Sequence, residues 1–111
     1  MTDLWDEIQS KTRELETCIR TLRKSGTAYA EAEREYKIKL REVCLRMRSE
    51  GMAVGMIDKT CYGDPEVAEL RFKRDVAETV YKANLEAVLS IKLQLRLLDS
   101  QLSREWSDSQ S

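Results

Sequence analysis

The positions of glycine and proline constrain this fold more than any other feature of the sequence. Three of the four glycines and the only proline lie between Gly51 and Pro65, in a chain of 111 residues. An all-β fold needs turn residues throughout, and this length corresponds to one domain. We therefore expect one all-α domain over residues 1–106, with a helix at about 2–50, a tip segment at 51–64, a helix at about 65–106 and a polar tail at 107–111.

The first helical segment repeats apolar residues at alternating intervals of four and three, the spacing of a coiled-coil seam. One row is Ile8, Leu15, Leu22, Tyr29, Tyr36 and Val43; the other is Trp5, Thr12, Ile19, Gly26, Glu33, Leu40 and Met47. Ser25-Gly26-Thr27 and Glu33 are the weak places in the repeat. We expect the helix to continue through Gly26. The alternative is a break there, with residues 2–24 folding back to complete a three-helix monomer.

The second segment begins at the clearest boundary in the sequence. Asp64 can cap the first backbone N–H groups of a helix, Pro65 suits the first helical position, and Glu66 complements the helix dipole. One apolar row then runs through Val67, Arg74, Tyr81, Val88, Leu95 and Leu102, and its partner through Leu70, Ala77, Asn84, Ile91 and Leu98. The two seams predict an antiparallel helical hairpin, a coiled coil of two long helices joined by the tip segment.

A second apolar stripe on the C-terminal helix predicts self-association. Leu85, Leu89, Leu93 and Leu97 lie outside the seam, so a two-helix hairpin leaves them without a partner. We expect them to form the oligomer interface of a homodimer, in which two hairpins make a four-helix bundle.

The composition argues against catalysis and against bound cofactors. The chain contains no His, which removes the commonest general base and the commonest transition-metal ligand. It also lacks a phosphate-binding loop, a dinucleotide fingerprint and the spacing of a zinc or calcium site. Cys18, Cys44 and Cys61 form no CxxC pair, and we expect free thiols. The prediction is a protein that is not an enzyme and binds no cofactor or metal.

Basic residues near the tip form a candidate anion-binding surface. With a formal net charge of −1, any affinity for nucleic acid has to be local. The antiparallel hairpin predicts a basic tip half and acidic distal ends. The candidate residues are Arg34, Lys37, Arg41, Arg48, Arg71 and Arg74. The alternatives are a solvated charged face and a surface that contacts phosphate through counterion release.

The tip segment is the candidate partner-binding element. A connection this long is often functional, and methionine-rich surfaces adapt to their partners. The residues that we expect it to expose are Met52, Val54, Met56, Ile57 and Tyr62. The alternative is that these side chains cover the end of the helical core.

Three stretches resemble a family of short, uncharacterised, charged helical proteins of phages and prophages of Gram-positive bacteria. They are AEREYKIKLREVCLRMRSEGM from Ala32 to Met52, IDKTCYGDPEVAELRFKRDVAETVYKAN from Ile57 to Asn84, and LRLLDSQLSREW from Leu95 to Trp106. The resemblance covers about the last two thirds of the chain and implies a phage setting. The family has no established activity, so the resemblance assigns no site residues.

These observations lead to a functional expectation with two alternatives. We expect a phage-type interaction protein that binds a host or antiviral-defence protein through its tip segment and basic flank. The alternatives are a nucleic-acid-binding replication or recombination accessory and an oligomer that sequesters a small anionic ligand. No apolar run reaches membrane-spanning length and the chain does not start like a signal peptide, so we expect it in the host cytoplasm.

Overall fold

A computed structural model describes residues 3–110 and confirms an all-α helical hairpin. Helix α1 is Leu4–Ser49, α2 is Val54–Thr60 and α3 is Pro65–Gln110, with a 3-10 turn at Cys61–Gly63 between α2 and α3. The described residues contain no strand. Two differences from the sequence prediction stand out. The tip segment contains a helix of its own, and α3 continues to Gln110 through most of the predicted tail.

Helix α1 is continuous through Gly26, so the alternative with a break at this residue is wrong. The glycine serves close packing instead. A Cβ atom at position 26 would lie 3.3 Å from the ring of Tyr81, which is tighter than ordinary contact. The same ring packs against Tyr29, with 5.8 Å between the two ring centroids. Gly26 therefore makes room for an aromatic side chain at this level of the seam.

Residues 25–81 form one compact unit in which α1 and α3 pack antiparallel. Two ion pairs show the direction: Glu33 of α1 contacts Arg74 of α3, and Lys39 of α1 contacts Glu66 of α3. Moving forward along α1 therefore means moving backward along α3. The hydrophobic core of this unit includes α2 and the 3-10 turn. Its buried side chains are Tyr36, Val43, Met47, Ile57, Cys61 and Val67, with Leu40, Cys44, Met52 and Leu70 packed around them.

Residues 3–24 and 82–110 form the second unit, whose core is thinner. Its buried apolar side chains are Val88 and Ile91, both from the predicted seam of α3. The oligomer residues predicted from the sequence divide in this unit. Leu85 is half-buried, whereas Leu89, Leu93 and Leu97 are exposed on the outer face of α3.

A Schellman motif ends α1 and turns the chain into the tip segment. The N–H of Met52 donates to the carbonyl of Met47 and the N–H of Gly51 to the carbonyl of Arg48, both at 3.0 Å. Gly51 has a φ of 88°. An L-residue with a Cβ atom is strained in this conformation, whereas glycine adopts it readily.

We expect Gly51→Ala to lower the free energy of unfolding by about 1 kcal/mol, because alanine is strained at positive φ. Gly55→Ala is the matched control: Gly55 lies in α2, its φ is not positive, and a Cβ there meets nothing within 4 Å. Urea unfolding followed by circular dichroism measures both. Equal stability of Gly51→Ala and the wild type would contradict the turn geometry.

Asp64 caps α3 as the sequence predicts. Its Oδ2 accepts hydrogen bonds from the backbone N–H groups of Glu66 at 3.1 Å and Val67 at 3.2 Å. Its Oδ1 accepts a hydrogen bond from the Arg46 guanidinium at 3.2 Å. One carboxylate therefore holds the start of α3 and ties it to the last turns of α1.

Candidate partner-binding surface

The tip segment both covers the core and exposes apolar side chains. Ile57 is buried, and Met52 is half-buried and packed against the core, so the expectation that both are exposed is wrong for Ile57 and only partly right for Met52. The physical reason is the amphipathic helix α2, whose inner side packs against the core. With Cys61, Ile57 faces α1 and α3 within residues 25–81.

The opposite face of the tip segment is open. Val54 is 66% exposed, Met56 53% and Tyr62 45%, as the sequence analysis expects for these three residues. The Arg71 guanidinium lies over the Tyr62 ring, 5.4 Å from its centroid, a cation–π contact that holds both side chains at the surface. The exposed part of the predicted partner-binding set is therefore Val54, Met56 and Tyr62.

Five of the six basic candidates separate into two groups, and the sixth, Arg71, is the residue that lies over the Tyr62 ring. Arg74 lies inside the helix pair: its Nη1 is 3.1 Å from Glu33 Oε2, its Nε is 2.8 Å from Asp75, and its guanidinium covers the Tyr36 ring at 4.7 Å. Lys37 pairs with the same Glu33 at 3.3 Å. These two charges are compensated locally, which leaves them little capacity to bind an added anion.

Arg34, Arg41 and Arg48 form the second group. All three are exposed, and among residues 3–110 none of them has a carboxylate within ion-pair distance. Their spacing of seven residues places them along one outer face of α1, about 10 Å apart. This face, rather than the whole tip half, is basic: residues 25–81 contain ten Lys or Arg and eleven Asp or Glu. The prediction of a basic tip half is therefore wrong, and the positive charge is confined to a stripe.

Two residues that the sequence analysis did not single out complete this stripe. Ile38 and Leu45 are 54% and 56% exposed and lie between the arginines. Together the five residues 34, 38, 41, 45 and 48 repeat at intervals of four and three, the same spacing as the buried seam. We call them the basic–apolar stripe. A search for a second heptad row on the outer face of α1 could have found it.

A shallow groove of about 270 Å³ joins the stripe to the tip segment. Its α1 wall contains Arg41, Leu45 and Arg48, and its α2 wall contains Val54 and one carboxylate. The complete lining is Arg41, Cys44, Leu45, Arg48, Val54, Ile57 and Asp58. The surface thus offers apolar contact with positive charge on one side, and it is concave where α2 meets α1.

Cys44, in the lining of this groove, has a thiol pKa that is shifted away from the reactive thiolate form. Burial, followed by a hydrogen bond to Cys61, raises the pKa of the Cys44 thiol above its ordinary value of 9.0. Because the thiolate is the reactive form, a raised pKa lowers reactivity at neutral pH. The described residues also contain no group of three or more Cys, Asp or Glu placed to hold a metal ion.

Two carboxylates make the stability of residues 25–81 sensitive to acid. The Arg74 guanidinium lowers the pKa of Glu33 below 4.5, against the opposing effect of partial burial and with a further contribution from Lys37. The backbone N–H of Val67, and more weakly Arg46, lowers the pKa of Asp64 below 3.8. Folded-state pKa values below the unfolded ones stabilise the fold above the unfolded values, and this contribution disappears as the pH falls through the folded values.

We therefore expect the urea midpoint to be steady from neutral pH to about pH 5 and to fall below about pH 4.5. Glu33→Gln is expected to be less stable at neutral pH and to lose less stability on acidification, because one of the shifted groups is gone. Glu16→Gln is the control, since Glu16 is exposed outside residues 25–81. An acid-dependent loss in Glu33→Gln as large as in the wild type would contradict the assignment.

Comparison of this chain with protein-family models, curated proteins and solved structures gives no significant match. Across residues 3–110, no helix combines the length and apolar character needed to cross a membrane. A functional conclusion therefore has to come from the surface itself.

Proposed function

We propose that this chain is a non-enzymatic interaction protein that binds a protein partner through the basic–apolar stripe and the exposed side of the tip segment. One observation carries the proposal: Arg34, Arg41 and Arg48 have no carboxylate partner among the described residues and alternate with exposed Ile38 and Leu45. Exposed apolar side chains such as Ile38 and Leu45 lower solubility, and covering them with a partner is energetically favourable.

The alternation of charge and apolar surface favours a protein over a nucleic acid. A phosphate backbone attracts arginine, but it offers nothing to bury Ile38, Leu45 or Val54 against. An amphipathic helix of a partner, with carboxylates beside apolar residues, matches both properties of the stripe. The flexible side chain of Met56 at the edge of the same surface suits such a contact.

The resemblance to phage and prophage proteins supports a setting for this interaction. In that setting the protein acts in the cytoplasm of a Gram-positive host, and its partner is a host or antiviral-defence factor. A small protein without catalytic groups acts on such a factor by occupying a surface that the factor needs. Because the stripe is basic and apolar, the surface that it binds is expected to be acidic and apolar. Affinity capture would identify the partner that carries this surface.

Affinity capture from a nuclease-treated lysate of a Gram-positive bacterium tests the proposal. We expect the wild type to retain a discrete protein and Met56→Asp to retain several-fold less of it, because the substitution adds a negative charge beside the groove. Phe72→Asp is the matched control, since Phe72 is 63% exposed on α3. Equal capture by the wild type and Met56→Asp would exclude the tip segment from the interface. Capture that is seen only from a lysate without nuclease treatment would reject a protein partner.

A nucleic-acid accessory is the second candidate, favoured by the three arginines without carboxylate partners. A mobility-shift titration against single- and double-stranded DNA at about 50 mM salt separates it from the first, because electrostatic binding is strong there and falls steeply as salt rises. Binding that is lost in Arg34→Glu/Arg41→Glu/Arg48→Glu would support this candidate. No shift at that salt would reject it.

A further inference from the structure

On the outer face of α3 between residues 86 and 104, the serine and leucine positions read the same in both directions, and the two ends carry opposite charges. Two rows with a spacing of seven lie side by side on this face: Glu86, Leu93 and Ser100 in one, and Ser90, Leu97 and Arg104 in the other. All six residues are exposed. This face belongs to the unit of residues 3–24 and 82–110, whereas the stripe of the proposed function belongs to the unit of residues 25–81.

From this pattern we infer that α3 pairs antiparallel with α3 of a second copy of this chain. When the two helices are aligned so that Leu93 lies opposite Leu97 of the partner, Ser90 lies opposite Ser100 and Glu86 lies opposite Arg104. A two-fold axis repeats each pair, so the dimer gains one central leucine contact on each side of the axis, two in all, and one ion pair at each end. The small serines between them let the helices approach closely.

The exposure of the leucines and the charges at the two ends both favour a second copy of this chain as the partner of this face. Leu93 and Leu97 are 52% and 61% exposed, and Leu89 beside them is 49% exposed, which is unusual for leucine on the outer face of a charged helix. Neither Glu86 nor Arg104 has an ion pair among the described residues. A parallel, in-register pairing would bring Glu86 against Glu86 and Arg104 against Arg104, so the charges select the antiparallel arrangement.

The size of the face sets the expected affinity. Residues 86–104 span about five turns, or roughly 27 Å of helix, so the contact is small compared with a standard dimer interface. We expect a dissociation constant in roughly the micromolar range, with exchange of subunits between dimers.

Sedimentation velocity from about 5 to about 500 µM protein tests the dimer, and a charge exchange tests its register. Glu86→Arg and Arg104→Glu each place like charges opposite one another twice, and we expect each variant alone to dimerise roughly tenfold more weakly than the wild type. Mixed in equal amounts, the two variants have complementary charges at both ends of a heterodimer. The mixture is therefore expected to regain an affinity close to that of the wild type.

Two outcomes would overturn the inference. If the wild type remains monomeric at the highest concentration, the inferred dimer does not form. If the mixture associates no better than the separate variants, Glu86 does not lie opposite Arg104 and the inferred register is wrong. Leu93→Asp gives a second check that does not depend on charge pairing, since it is expected to abolish association while Phe72→Asp, also at an exposed position, leaves it unchanged. Circular dichroism confirms that each variant is folded.

Discussion

Val67→Asp is expected to destabilise residues 25–81 by about 3 kcal/mol or more, a large part of the stability of a domain this size. Val67 is 0% exposed and lies in the core formed by α1, α2 and the first turn of α3. An aspartate at this position either buries a carboxylate without a cationic partner, or it displaces α3 from the core so that the carboxylate can reach water. The expected result is a large drop in the urea midpoint, or loss of the cooperative transition if α3 is displaced.

Val80→Asp is the matched control because it makes the same substitution in the same helix. Val80 is 48% exposed, so the new carboxylate stays in water, and valine and aspartate have similar helix propensities. We expect a change within about 0.5 kcal/mol. Similar destabilisation by both substitutions would mean that the core around Val67 is not packed as described.

The triple variant Arg34→Glu/Arg41→Glu/Arg48→Glu is expected to lose partner binding by about 100-fold or more. Reversal removes three attractive charges and places three repulsive ones opposite an acidic surface. None of the three arginines packs in the core, and all are exposed, so the fold and its thermal transition should change little. Binding is measured as the amount of partner retained per mole of immobilised protein.

A variant with the same change in net charge elsewhere is the control. Arg13→Glu/Arg20→Glu/Arg96→Glu alters three exposed arginines outside residues 25–81, and it should retain the partner at close to the wild-type level. If both triple variants lose binding equally, the interaction depends on overall charge and not on the stripe. Rising salt should weaken the wild-type complex only in part, because the apolar contacts of Ile38 and Leu45 are insensitive to screening.

The parts of the fold that the sequence predicts are those governed by local, repeating physics. The seam residues Tyr36, Val43 and Val67 are buried because a heptad row has only one way to face a partner helix. Asp64 caps α3 because the geometry of a helix start depends on a few neighbouring residues. The same reasoning holds for α1 at Gly26, where continuity follows from the repeat on both sides of the glycine.

The surface was harder to predict because it depends on tertiary context. The sequence shows that the tip segment contains apolar residues, but the division into buried Ile57 and exposed Met56 depends on how α2 lies against α1. Arg74 is among the predicted anion-binding residues because the sequence does not show its ion pair with Glu33, which lies 41 positions away. The alternation of Ile38 and Leu45 with the arginines becomes meaningful only once the buried seam identifies the outer face.

Site-specific photo-crosslinking tests the central claim, the partner-binding stripe, most directly. Benzoylphenylalanine replaces Leu45, in the middle of the stripe, or Val80, equally accessible on α3, and the protein is irradiated in a nuclease-treated Gram-positive lysate. The proposed function predicts one discrete protein adduct from position 45, absent from position 80 and lost in the triple arginine variant. The same adducts from both positions, or none from position 45, would contradict it.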